Sequence, residues 1–385
     1  MAAALGLVAT TEARADRGGP PPLTASAAVL VDGRDGHVLY RRAASRRRAI
    51  ASTTKLMTAL IALERLPSRR RLTAPVYNAG AAESLIGLRP GERMAVADLM
   101  RALLLESAND AAVTLARGVA GSVPAFVTLM NARAAELGLA RTHYANPVGL
   151  DERGNYSTAL DLARLARRLL ENDTFATIVN LPSARLRTGT RPRVVDNRND
   201  LVARVPWVDG VKTGHTLDAG YVLVGAGTRK GVRLVSVVLG EPSQALRDTD
   251  TLALLEYGFS RYRRVRPLTA GAEVAAARVA HFGGRLVPLT VRRDVRLTVR
   301  QGEPVRTVTV VPPKLDGPIA RGARVGEVRV YQGRRLARLV PLVTAEAVPR
   351  AGVGRRLGAP LAALAAVAAL AAMLRLAARR GFRGG

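Results

Sequence analysis

The chain has 385 residues and no cysteine, which excludes disulfide scaffolds, thiol catalysis and thiolate metal sites. Its four histidines, His37, His143, His215 and His281, are too scattered to make good metal-ligand spacing, so a metal site is not expected. The 59 basic and 30 acidic residues give a net charge of +29, but the arginines run through the whole chain and only 4% of residues are aromatic, a pattern that argues against nucleic acid and suits an anionic cell envelope.

Residues 1–15 open with an apolar run and close on Ala13-Arg14-Ala15, a pattern that fits signal-peptidase cleavage, although the usual positive charges at the start are missing. A shortened signal peptide is favoured over a frayed terminus. After Pro20-Pro21-Pro22 the residues alternate as a strand around Val29 and Val31, turn at Asp32-Gly33 and Asp35-Gly36, and return over 37–40, which predicts a hairpin. From Ser52 the spacing becomes helical through Leu56, Met57, Leu60 and Ile61, with Ser52 or Thr53 expected to cap the start. Further helices are expected over 96–105, 109–119, 125–137 and 158–170. Strands return over 208–212, 220–226 and 232–239, and a closing helix over 252–257. This order predicts an α/β layered domain with an antiparallel sheet, here given the bounds 16–262.

From 265 to 349 the pattern is purely strand-like, with Val295, Leu297 and Val299 alternating with Arg296, Thr298 and Arg300, which predicts a small β-sandwich. Residues 357–374 then carry no charge, and at 1.5 Å per residue such a run crosses about 27 Å of hydrocarbon. The run and its flank give an expected membrane anchor helix over 357–378, with a basic tail over 379–385 that holds the end in the cytoplasm and leaves the body outside. An interfacial helix is disfavoured because the segment lacks a polar face.

Only four of the 59 basic residues are lysines: Lys55, Lys212, Lys230 and Lys314. Arginine stays protonated at any working pH, whereas a lysine can be stripped to a neutral base, so lysines retained in such a composition are candidates for chemistry. Ser52-Thr53-Thr54-Lys55 places a hydroxyl and an amine at i and i+3 on one helix face. A buried lysine near a second cation can act there as the base that makes a serine nucleophilic, and the helix start adds partial positive charge where an oxyanion would form. Lys212-Thr213-Gly214 closes a strand, where glycine admits a substrate backbone and the strand edge can pair with an extended peptide. Ser107-Ala108-Asn109 lies between them at a helix junction.

Each motif is common alone, but the three in this order match the S-x-x-K, S-x-N and K-T-G set of penicillin-binding proteins and serine β-lactamases. The stretches 51–59, 107–111, Asn197-Arg198-Asn199 and 208–216 resemble the low-molecular-mass D-alanyl-D-alanine carboxypeptidases of the penicillin-binding protein 5 type, the S11 peptidases. Asn146-Pro147 with Gly149-Leu150-Asp151, Tyr156-Ser157-Thr158, and the β-rich segment with a terminal anchor fit the same family. Departures are Ala108 in the second motif, Val148 where many relatives carry histidine, and an anchor that looks more like a span than an amphipathic helix.

The resemblance implies a penicillin-binding-protein/serine β-lactamase-like catalytic domain that removes the terminal D-alanine from peptidoglycan stem pentapeptides, is inhibited covalently by β-lactams and needs no cofactor. It implies Ser52 as nucleophile, Lys55 as its base, Ser107 and Lys212 as proton relay, and Asn109 as a substrate ligand. The backbone N–H groups of Ser52 and His215 would form the oxyanion hole, and Thr213 and Arg198, beside Lys212 and Gly214, would receive the substrate carboxylate. A β-lactamase is disfavoured because no Glu-x-x-Leu-Asn segment lies between the second and third motifs. The same motifs would also suit a D,D-endopeptidase, which differs only in the amine released, and a degenerate fold would leave a non-catalytic envelope-binding protein. The expected location is the cell membrane, with the body extracytoplasmic.

Overall fold

The computed structural model describes residues 5–6, 19–352 and 367–373. The chain divides into two compact units, Ala15–Arg261 and a second made of Met1–Arg14 with Tyr262–Gly385.

The first unit is built on a five-stranded antiparallel sheet. Its strands are β1 (Ala27–Asp32), β2 (Val38–Arg42), β3 (Val208–Thr216), β4 (Gly220–Arg229) and β5 (Val232–Glu241), in the spatial order β2-β1-β5-β4-β3. Alternate residues serve opposite faces. Val29, Val31, Val222, Val224, Val235 and Val237 join the main core with helices α1 (Lys55–Arg65), α2 (Val96–Arg101), α3 (Asn109–Ala120), α4 (Val123–Glu136), α5 (Ala159–Leu170) and α6 (Asp173–Val179). On the other face lies α7 (Gln244–Ser260), whose Gly258 meets Leu30 and Leu234 so closely that a Cβ would sit 2.5 Å from a Leu234 methyl. The sheet is therefore covered on both sides, and its charged motif residues enter a dry interior.

Local sequence explains the helices. In α5 the Thr158 side chain accepts from the Asp161 amide at 3.1 Å, and Leu162, Leu165, Ala166 and Leu169 form the buried stripe. Three expectations are corrected. Ser52 and Thr53 do not cap α1. They lie in a 3₁₀ turn, Ala51–Thr54, in which the Thr53 hydroxyl donates to the Ile50 carbonyl at 2.6 Å and the Ser52 side chain is left free of backbone duty. The helix predicted over 96–105 changes after Arg101 into a π-helical turn, Ala102–Glu106, which ends at Ser107 with φ 65°. The closing helix is longer than predicted because Arg247, Asp248 and Asp250 interrupt its apolar stripe but are buried all the same. Asp250 Oδ2 accepts from the amides of Thr24 and Ala25 at 2.7 and 3.0 Å.

In the second unit the strands are β6 (Tyr262–Leu268), β7 (Glu273–Val279), β8 (Leu286–Thr290), β9 (Val295–Arg300), β10 (Val305–Val310), β11 (Lys314–Leu315), β12 (Arg324–Gln332) and β13 (Arg335–Thr344). Six of them, with Leu5–Gly6, form a sheet ordered Leu5–Gly6, β10, β12, β13, β8, β7, β11, while β6 pairs with β9. Both sheets send aliphatic residues into one core, among them Leu268, Leu297, Val287, Leu289, Val328 and Val330.

The signal segment expected over 1–15 lies outside the described residues except for Leu5 and Gly6. The anchor expected over 357–378 lies outside them except for 367–373, a helical stretch of exposed residues. No single helix among the described residues is long and apolar enough to cross a membrane, so a membrane helix is not part of the described fold.

Candidate active site

Ser52 and Lys55 face each other where the 3₁₀ turn enters α1. Lys55 is fully buried, its Nζ lies 2.8 Å from Ser52 Oγ, and it donates to the Val148 carbonyl at 2.5 Å. Burial drives the lysine pKa well below its ordinary value, the Lys212 cation adds to the fall, and Glu83 opposes it. The loop 146–151 fixes this geometry. Asn146 Oδ1 accepts from the Val148 and Gly149 amides at 3.2 and 2.7 Å, and the Pro147 carbonyl accepts from Thr58 Oγ1 of α1 at 2.7 Å. Gly149 has φ 90°, and a Cβ on it would fall 2.0 Å from the Ala51 carbonyl oxygen, so only glycine lets the loop reach the catalytic turn.

Lys212 and Thr213 are buried on the edge strand β3, and Gly214 brings that strand against the nucleophile: a Cβ there would stand 2.9 Å from the Ser52 backbone nitrogen. The amides of Ser52 and His215 thus lie on facing elements, while the His215 ring is displaced outward, stacked on Tyr221 with centroids 4.0 Å apart. Lys212 Nζ donates to the Thr213 carbonyl at 3.0 Å. Its pKa is lowered to about 7 by burial, then by Arg247 and Arg198, with Glu106 opposing.

Ser107 is delivered by the π turn, which touches both α1 and β3. Its Oγ is buried and has no hydrogen-bond partner among the described residues. A buried hydroxyl left unbonded costs about 1–3 kcal/mol, which marks a position held for something other than stability. Asn109 Nδ2 donates to Glu83 Oε2 at 2.6 Å, and Glu83 also accepts from the Tyr77 hydroxyl and from the Gly80 amide. Burial works to raise the Glu83 pKa, but those hydrogen bonds hold it below its usual value.

Arg198 donates Nε to Glu106 Oε1 at 3.0 Å and makes a second, shorter contact through Nη2, while its side chain remains 56% exposed. Sequence reasoning missed Glu83, the Val148 carbonyl and Arg247. Arg247 is buried, donates Nε and Nη2 to Asp248 Oδ1 at 2.9 and 2.8 Å, and helps to depress Lys212. A charged residue in the run preceding an apolar helix is the one signal the sequence offers for it. Among the described residues no cluster of histidine and carboxylate groups could hold a metal ion.

The chain also matches known proteins over most of its length. Residues 14–243 match the D-alanyl-D-alanine carboxypeptidase family profile, and residues 262–350 match that of the penicillin-binding protein 5 C-terminal domain. The D-alanyl-D-alanine carboxypeptidase DacF of Bacillus subtilis (strain 168) is 31% identical over 337 residues, covering 85% of this chain and 87% of that protein. DacA of Escherichia coli (strain K12) is 31% identical over 350 residues, 86% of this chain and 85% of the relative. The crystal structure of penicillin-binding protein 5 from Haemophilus influenzae superposes with a TM-score of 0.61 at 29% identity, over 87% of this chain and all (100%) of that one.

Proposed function

The chain belongs to the D-alanyl-D-alanine carboxypeptidase family and is a serine D,D-carboxypeptidase; on that premise we propose the following division of labour among its residues. Neutral Lys55 accepts the Ser52 hydroxyl proton as Oγ attacks the carbonyl carbon of the penultimate D-alanine of a stem pentapeptide. The backbone N–H groups of Ser52 and His215 hold the oxyanion. The C–N bond breaks, and the proton reaches the departing D-alanine amine from Lys55 through Ser107 and Lys212. Water then hydrolyses the Ser52 ester, and β-lactams enter the same acylation step.

Asn109, fixed by Glu83, presents its amide oxygen to the substrate. Lys212, Thr213 and Gly214 line the strand edge that the peptide adds to, and Arg198 with Thr213 meets the terminal carboxylate. The observation that carries the assignment is the buried Lys55 amine, driven toward neutrality 2.8 Å from Ser52 Oγ. The apolar run at 357–374 and its arginine tail support a body held outside the cytoplasmic membrane by that segment.

The test is covalent labelling by a fluorescent penicillin. The full chain is expected to label and Ser52→Ala to lose all labelling; label persisting on Ser52→Ala would place the nucleophile elsewhere.

A further inference from the structure

Between residues 262 and 350 the chain carries 18 basic and 6 acidic residues, so the β unit cannot pair all of its cations. Part of the shortfall gathers at one edge of the unit. β13 pairs with β12 from Arg335 to Val343, but β8 reaches it only at Val343 and Thr344, which leaves 335–341 as an open strand edge among the described residues.

A register shift at Val330 and Tyr331 sorts the side chains of this edge. Leu336 and Leu339 stand opposite Tyr331 and Arg329 and share one face, 45% and 52% exposed; Arg335 and Arg338 stand opposite Gln332 and Val330 and share the other. On the second face Arg338 joins Arg293, Asp294 and Arg296 around a cleft of about 790 Å³. Asp294 is already engaged there: Oδ1 accepts from the Ala270 amide at 3.0 Å, and Oδ2 takes Arg296 at 3.0 Å with Arg266 at 3.6 Å. Arg293, Arg335 and Arg338 are exposed and have no ion pair among the described residues, and Arg338 donates only to the neighbouring Ala337 carbonyl.

The edge is therefore cationic on one side and apolar on the other. Water suits the guanidiniums alone. An anionic lipid surface suits both sides, since its phosphates meet the guanidiniums and its acyl boundary takes the leucines. A further β-strand is poorly matched, because arginines and Pro341 on an open edge obstruct pairing. The membrane placement proposed above adds proximity: residue 357, where the uncharged run begins, lies 13 residues past the end of β13, a reach of at most about 45 Å.

We propose that this edge of the β unit docks on an anionic phospholipid surface, with Arg293, Arg335 and Arg338 on lipid phosphates and Leu336 and Leu339 in the interface. The inference rests on the membrane placement for its proximity to lipid and is independent of the carboxypeptidase chemistry.

The test uses the full chain. Because the chain has no cysteine, Leu339→Cys provides a single site for an environment-sensitive dye. The labelled protein is mixed with vesicles of phosphatidylcholine, alone or with phosphatidylglycerol, that carry a spin-labelled lipid as quencher, and cosedimentation records separately whether the chain is bound at all. Quenching at residue 339 is expected with phosphatidylglycerol and not with phosphatidylcholine alone. Arg293→Gln combined with Arg338→Gln should weaken that docking about 25-fold, about fivefold for each cation lost near an anionic surface, with circular dichroism and the rate of acylation by benzylpenicillin unchanged. Cosedimentation without quenching would overturn the docking surface and leave the membrane placement standing. Equal quenching on both kinds of vesicle, or undiminished quenching in the double variant, would show that the guanidiniums do not read lipid charge and would overturn the surface as well. Loss of quenching in inorganic phosphate, but not in chloride at equal ionic strength, would replace the lipid by a free phosphate. Failure of both cosedimentation and quenching would remove the membrane placement together with the surface.

Discussion

Lys55, Lys212, Glu92, Asp98, Asp110, Asp161, Glu241 and Arg247 are all buried in the unit Ala15–Arg261, whereas from Tyr262 to residue 352 the only buried polar side chains are Gln332 and Thr344, both neutral. The β unit fills its interior with valine and leucine, at little electrostatic cost. The first unit takes charge out of water repeatedly, and the way each charge is compensated separates scaffold from chemistry. Glu92 receives Arg193 through both carboxylate oxygens, at 2.9 and 3.0 Å, plus the amides of Thr190 and Arg89, and its pKa falls to about 2 with burial alone opposing. That is a structural carboxylate with its charge fully met. Among the described residues Lys55 and Lys212 have no carboxylate in ion-pair contact; they are offered carbonyls and the fields of other cations, Lys212 for Lys55 and Arg247 with Arg198 for Lys212, so burial lowers both pKa values. Uncompensated burial of this kind destabilises a fold and persists where the group has a task.

The sharpest way to break this contrast is to restore a permanent charge at the catalytic position. Lys55→Arg keeps charge and approximate length but cannot yield a neutral base, so the rate of acylation by penicillin should fall by about 10²–10⁴, the contribution of a positioned general base. Stopped-flow labelling measures it. Acylation within about tenfold of wild type would return Lys55 to a purely structural role.

The converse experiment lies in the β unit. Leu289 is fully buried in its core, and Leu289→Ala should cost about 2–5 kcal/mol of that unit's stability, read by denaturant unfolding of the full chain, while the initial rate of penicillin acylation at low temperature stays unchanged. A fall in acylation matching the loss of stability would show that the catalytic geometry depends on the β unit, and the two units could no longer be treated as energetically separate.

How much of this contrast is legible in the sequence follows from its physics. The periodicity that builds the β unit is local, and so is the hydroxyl–amine spacing at Ser52 and Lys55. The scarcity of lysine narrows the search to four positions, of which Lys55 and Lys212 are buried and Lys230 and Lys314 are not. Compensation is not local. Glu83 meets Asn109 across 26 positions and Val148 meets Lys55 across 93, so no pattern in either neighbourhood announces them. The left-handed Ser107 and the π turn before it follow from packing against α1 and β3, and helical spacing alone continues straight through them. The pairing of Arg198 with Glu106 is equally silent in the sequence, the two lying 92 positions apart.

The smallest expected effect, and the one that probes the uncompensated lysine directly, is on stability as a function of pH. Lys212 has a folded-state pKa of about 7 against an ordinary 10.5, so between those values the unfolded chain binds a proton that the folded chain does not. Stability must therefore rise with pH across that window, by at most about 1.4 kcal/mol per pH unit for one full proton, and the whole cost of burying the cation is present below it. Glu241 works the other way: burial raises its pKa to about 7, so it weakens the fold as pH climbs from the ordinary carboxylate value of 4.5 toward 7 and is silent above about 8. Unfolding measured from pH 8 to 9 reads mainly the lysines, because Tyr77 and Tyr144, whose pKa values burial raises, weaken the fold only as pH approaches the ordinary tyrosine value of 10. Lys55 contributes with the same sign, and the variant Lys212→Gln, which keeps polarity without a titrating proton, separates the two. Wild type should gain stability across this range with a steeper slope than Lys212→Gln. Identical slopes would mean that Lys212 keeps its proton in the folded protein, and the relay assigned to it would lose its physical basis.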